Sequence, residues 1–119
     1  EYFRTNVGDT VLFDRDQTTL NDGARTVLAR QADWLQQNGS FSTVIQGHSD
    51  EQGTREFNLA LGARRAGAVQ EYLISRGVGA NRIRTVSYGK ERPIAEGSTE
   101  DAFARNRNAH TAIVSGAQR

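Results

Sequence analysis

Hydrophobic spacing changes several times along the 119-residue chain, and each change marks an element. After a Gly8-Asp9 turn, Thr10-Val11-Leu12-Phe13 is rich in β-formers and predicts a short strand. A polar loop, Asp14-Arg15-Asp16-Gln17, follows. Ala24, Val27, Leu28, Ala32, Trp34 and Leu35 then recur at helical period, with Gln31 as one polar gap in the stripe. Asn21 suits the N-cap of this helix, Asp22 its first turn, and Asn38-Gly39 its C-cap. Phe41 to Gln46 reads as a second strand. A long helical pattern runs from Thr54 to Arg76, with Leu59, Gly62, Ala66, Val69 and Leu73 as its inner stripe and Gly77 as its end. Val78 to Asn81 connects to a third strand, Ile83 to Tyr88, whose side chains alternate Ile83, Thr85, Ser87 against Arg84, Val86, Tyr88. The loop from Gly89 to Ser98 holds the only proline, Pro93. A short helix over Thr99 to Arg105, capped by Thr99 or Ser98, and a last strand over Ala109 to Val114 complete the pattern.

This alternation predicts an α/β fold: one domain over residues 10–115, with a lead-in at 1–9 and a tail at 116–119. A chain of this length buries about two-thirds of its unfolded surface, enough for one core without staples. There are no cysteines, so disulfides and thiolate metal sites are excluded. Fifteen Lys and Arg against fourteen Asp and Glu leave a charge of +1 and no basic stripe, which argues against nucleic-acid binding. No apolar run approaches the ~20 residues a membrane helix needs. Gly62 and Gly67 inside the second helix each cost about 1 kcal/mol relative to alanine, so close packing or close ligand approach is expected at both.

Chemistry concentrates where the second strand gives way to the second helix, the usual place for an α/β binding site. Asp50 lies in the connecting loop, while Asn58, Leu61 and Arg65 share one helical face. Asp50 offers a carboxylate, Arg65 a planar fork of donors, and the helix N-terminus a partial positive charge. A ligand carrying both an ammonium and a carboxylate suits this set. The rival reading pairs Asp50 and Arg65 with each other, or gives Asp50 a loop-capping role. Asp14 and Asp16 hint at a calcium loop, but the glycine and distant glutamate of such a loop are missing. His48 reads as a hydrogen-bonded structural residue, and His110 is not at metal-ligand spacing from it. Trp34 reads as a helix-packing anchor. No Gly-x-Ser-x-Gly, His-Glu-x-x-His or cysteine is present, so an enzyme, with Asp14, Asp16 and Asp50 as acid and base, is the weaker reading.

Asn58-x-x-Leu61-Gly62-x-x-Arg65-Ala66-x-x-Val69, preceded by Gly47-His48-Ser49-Asp50, resembles the signature of the OmpA-like peptidoglycan-binding domain. Asp50-Glu51-Gln52-Gly53-Thr54 and Ser87-Tyr88-Gly89-Lys90-Glu91-Arg92-Pro93 resemble its peptidoglycan-associated lipoprotein (Pal) branch. The likeness spans Val11 to Val114. It implies a mixed four-stranded sheet with the two main helices on one face. It implies non-covalent binding of peptidoglycan through the meso-diaminopimelate of the stem peptide, with no cofactor and no metal. Asp50 would take the ammonium and Arg65 the carboxylate, and Phe13, Asp14, Asn58 and Leu61 would shape the pocket. Phe13 also reads as a plain core residue. The resemblance further implies a TolB-like periplasmic partner and a place at the periplasmic face of the outer membrane. It also implies a lipid anchor preceding Glu1, so the chain reads as a trimmed fragment. A porin or flagellar-stator anchoring domain is the alternative within the family. Where the family has Asn-Arg-Arg, this chain has Asn106-Arg107-Asn108. On this reading, alanine at Asp50 or Arg65 would weaken wall binding by about one to two powers of ten without unfolding the domain.

Overall fold

The computed structural model describes residues 7–14, 17–49, 53–91 and 99–115. The lead-in up to residue 6, the tail at 116–119 and Asp50 lie outside the described residues. In chain order the elements are β1 (Thr10–Leu12), α1 (Asp22–Gln37), β2 (Phe41–His48), α2 (Arg55–Ser75), β3 (Ile83–Gly89), α3 (Glu100–Asn106) and β4 (Asn108–Ser115), with one 3-10 turn at Ala80–Arg82. The strands form a mixed sheet in the order β1-β4-β2-β3. β2 and β3 run parallel, joined through α2, and β4 is antiparallel to both β1 and β2.

The strand period decides which side is covered. On β2, Thr43, Ile45 and Gly47 are buried, while Ser42, Val44 and Gln46 are only half-buried. Of these, Ile45 joins Ile83 of β3, Ala109 of β4 and Val11 of β1 in one core with α1 and α2. α1 contributes Ala24, Leu28, Ala32 and Leu35, and α2 contributes Ala66, Val69 and Leu73. The two main helices thus share one face of the sheet, as the family likeness implies. Gln31, the polar gap in the α1 stripe, is fully buried because both ends of its amide are bonded. It donates to the Gly8 carbonyl at 2.9 Å and accepts from Thr111 Oγ1 at 2.8 Å. Trp34 packs against the core with its ring 5.4 Å from that of Phe41, an anchor as expected.

Element ends follow their local chemistry. Asn21 Oδ1 accepts from the Ala24 N–H, and the Thr54 and Thr99 side chains cap α2 and α3 in the same way. Gly77 closes α2 at φ 100°, a conformation only glycine takes cheaply. Gly39 does not play that part for α1. It is not among the glycines at positive φ, and Asn38 instead closes the helix with its own amide, donating to the Trp34 carbonyl at 2.8 Å. The β2 strand runs two residues past the expected Gln46, because Gly47 and His48 continue the parallel ladder with β3.

Two expectations about α2 need correction. Its inner stripe takes Asn58, Leu61 and Arg65 in place of Leu59, which is only half-buried. Gly62, Ala66, Val69 and Leu73 are buried as expected, but apolar period alone omits Asn58 and Arg65, two polar side chains buried by making hydrogen bonds. The two interior glycines also differ. A Cβ on Gly62 would strike Ser87 Oγ and the Gly47 carbonyl, and a Cβ on Gly47 would overlap the Gly62 carbonyl. α2 and β2 therefore meet backbone to backbone here. Gly67 has nothing within 4 Å of where a Cβ would stand, so it serves no close approach.

Gly47→Ala is expected to lower unfolding free energy by about 3 kcal/mol, because neither backbone can yield. Gly67→Ala is expected to raise it by about 0.5–1 kcal/mol through helix propensity. Urea denaturation of the two variants beside the wild type checks both signs.

Candidate functional site

The β2–α2 connection opens at the C-terminal end of the parallel pair β2 and β3, and α2 starts directly above it. Thr54 fixes that start. Its hydroxyl accepts from the Phe57 N–H at 3.0 Å, and its carbonyl accepts both the Asn58 N–H at 3.0 Å and Asn58 Nδ2 at 2.9 Å. Asn58 is buried through this doubled bond, and Leu61 is buried one turn further on.

Arg65, the next residue on that face, is the largest fully buried side chain. Its relative exposure is 0%, which for a permanent charge demands dense compensation. Three carbonyls supply it: Nε donates to Gln17 O at 3.0 Å, Nη1 to His48 O at 2.9 Å and Nη2 to Asp14 O at 3.1 Å. The guanidinium also lies over the Phe13 ring, with its central carbon 5.2 Å from the ring centroid. One side chain of α2 thereby ties down the loop after β1 and the end of β2.

A second arginine steadies the same corner. Phe13 N–H donates to Arg107 O at 2.7 Å, and Arg107 Nε returns a bond to Phe13 O at 3.1 Å. Arg107 Nη2 then reaches Glu100 Oε2 at 3.2 Å. Phe13 is a buried member of the core, as one of its two readings had it, and its ring also lies under the Arg65 guanidinium. Asp14 presents its side chain to solvent, while its carbonyl holds Arg65. The structure therefore places Asn58, Leu61 and Arg65 on one buried face of the first half of α2 and brings Phe13 and Asp14 to Arg65, whereas Asp50 falls outside the described residues.

Asn108, standing where the family has a second arginine, is buried and donates from Nδ2 to the Arg105 carbonyl at 3.0 Å. His48 is buried with its ring 5.5 Å from that of Tyr88. His110 points instead to Gln46 Oε1 at 3.2 Å and Asp9 Oδ2 at 3.1 Å. Among the described residues no group of three or more His, Cys, Asp or Glu side chains could hold a metal ion.

Sequence reasoning missed three parts of this arrangement. The carbonyls of Asp14, Gln17 and His48 carry no side-chain signature. Arg107 was visible only as part of a motif. Ser87 Oγ, which donates to Leu59 O at 2.6 Å, fixes α2 on β3 beside the glycine contact.

The chain and its fold match a known class. The chain belongs to the OmpA family, whose match covers residues 12–107. Within it, the chain is 50% identical over 111 residues to the peptidoglycan-associated lipoprotein of Mesorhizobium japonicum, covering 93% of this chain and 66% of that protein. It superposes on the crystal structure of the peptidoglycan-associated lipoprotein from Burkholderia pseudomallei with a TM-score of 0.89 at 37% identity, covering 93% of this chain and 96% of that one. The C-terminal domain of Helicobacter pylori MotB shares the fold, with a TM-score of 0.83 at 23% identity, covering 92% of this chain and 87% of that one.

The geometry corrects the expectation that Arg65 can be removed without structural cost. Arg65→Ala would leave three carbonyls without their donor and is expected to destabilise the domain by about 3–5 kcal/mol. Asp14→Ala, which keeps the bonded carbonyl, should stay within about 0.5 kcal/mol of wild type. Chemical denaturation of both variants tests the contrast.

Proposed function

We propose that the domain binds peptidoglycan without cleaving it and so helps anchor the cell envelope to its wall. The observation that carries this is a permanent positive charge, Arg65, buried on α2 within the matched family region and held beside Phe13 and Asp14. The relatives named peptidoglycan-associated lipoprotein support the same reading. A binding role also fits a site made of carbonyls, one guanidinium and a helix start, which recognises charge but supplies no nucleophile.

The ligand group we assign is the meso-diaminopimelate side chain of the stem peptide, which ends in one ammonium and one carboxylate. Arg65, buried on its three carbonyls, draws the carboxylate through its permanent charge. Asp50, in the loop just before Thr54, draws the ammonium. Phe13, Asp14, Asn58 and Leu61 shape the surroundings. Binding of a small polar group is modest in strength, and a polymeric wall raises it through effective concentration. The chain spans 66% of the Mesorhizobium protein, so the roles of a whole protein are part of this proposal. They comprise a lipid anchor in the outer membrane, a periplasmic location and a TolB-like partner. Among the described residues no helix is long and apolar enough to cross a membrane.

Asp50→Ala is expected to weaken sedimentation with purified diaminopimelate-type walls by about ten- to a hundredfold. Because Arg65 is structural as well, the matching variant is Arg65→Lys, compared at matched folded fraction. Walls built on lysine lack the side-chain carboxylate and should bind poorly. Equal binding to both wall types, or an Asp50→Ala variant that sediments like wild type, would refute the assignment.

A further inference from the structure

Three consecutive residues at the end of β3 reach across to the β2–α2 connection. The Gly89 carbonyl accepts the Ser49 N–H at 2.8 Å. Lys90 Nζ donates to the Gly53 carbonyl at 3.0 Å. Glu91 Oε2 pairs with Arg55 Nε at 3.2 Å. Residues 49, 53 and 55 bracket the binding loop, with Asp50 between the first two. The bonds therefore fall on both sides of the segment that carries the assigned carboxylate, and on the first residue of α2.

The same strand end is locked in place from below. Gly89 sits at φ 54°, and a Cβ there would stand 2.9 Å from the Leu59 N atom. Ser87 Oγ donates to Leu59 O and also accepts from the Gly89 N–H at 3.2 Å. Glu91 N–H closes a turn on Tyr88 O at 2.8 Å. Residues 87–91 thus form a bracket seated on α2, from which Lys90 reaches Gly53 and Glu91 reaches Arg55.

We propose that Lys90 and Glu91 are positioning residues for the ligand site. They bond residues that follow Asp50 in sequence rather than the ligand, and they set where Gly53 and Arg55 stand. The inference rests on the peptidoglycan reading above and explains why Ser87-Tyr88-Gly89-Lys90-Glu91 accompanies the binding segment in sequence. The Arg55–Glu91 pair is solvent-exposed, at 62% and 47%, so its contribution to global stability is small. Its effect lies in ordering a loop before the ligand arrives, since a loop ordered in advance costs less to fix on binding. Being exposed, the pair is also screened by salt.

The test separates this bracket from the ligand assignment by reading the loop both with and without wall. Without ligand, Lys90→Ala should speed amide hydrogen exchange at Ser49 while leaving α1 amides and the melting temperature unchanged. With diaminopimelate-type walls, Lys90→Ala should weaken sedimentation about three- to tenfold, and Lys90→Arg should restore it. Arg55→Glu and Glu91→Arg should each weaken binding, and the double reversal should recover most of the loss. Unchanged Ser49 exchange in Lys90→Ala would overturn the bracket whatever the ligand is. Wild-type binding by Lys90→Ala and both single reversals, or a double reversal no better than either single one, would overturn its role in binding.

Discussion

A single buried guanidinium organises this domain. Arg65 sits fully out of water, and the cost of placing a charge there is met by the carbonyls of Asp14, Gln17 and His48 and by the Phe13 ring. These carbonyls come from segments far apart in sequence, the turn after β1 and the last residue of β2. Each has its dipole directed at one point on α2. The loops at this end of the sheet are therefore shaped by a charge, where the opposite side of the core is shaped by apolar packing. Arg107 repeats the device on a smaller scale by exchanging two bonds with Phe13. Arg82 repeats it at the other end of the molecule, donating to the carbonyls of Leu35, Asn38 and Phe41.

That shaping depends on how closely α2 lies to the sheet. The contact of Gly47 with Gly62 lets the two backbones meet, and Ser87 Oγ bonded to Leu59 O holds the approach. Any side chain at either glycine would lift the helix and carry Arg65 away from the carbonyls it joins. The glycines are thus part of the site, although neither bears a functional group. Gly67, a turn beyond, faces open space and has no such part.

On the proposed reading, stability and recognition are shared by the same atoms. A guanidinium that completes the fold keeps a fixed position without ligand, which favours discrimination between charged partners over raw affinity. The bracket of residues 87–91 extends that logic from the helix to the loop. It comes from β3, the strand parallel to β2, because the two strand ends are neighbours at the opening of the site.

Element existence and order were legible in the sequence because they follow from local rules. Periods of two and of about 3.6 residues separate strand from helix, Asn21, Thr54 and Thr99 announce helix starts, and Gly77 announces a helix end. Most of the face that α2 buries was legible as Gly62, Ala66, Val69 and Leu73, but the burial of Asn58 and Arg65 was not, since polar side chains enter a core only once their acceptors are in place. Gly39 failed as a C-cap because the neighbouring Asn38 amide did that work, and Gly62 and Gly67 could not be told apart without the strand that meets only one of them. The chain alone thus determined which residue types carry charge at the β2–α2 junction and which family pattern they form. Only the tertiary structure decided what Arg65 holds, because its partners are main-chain carbonyls, and every residue has one.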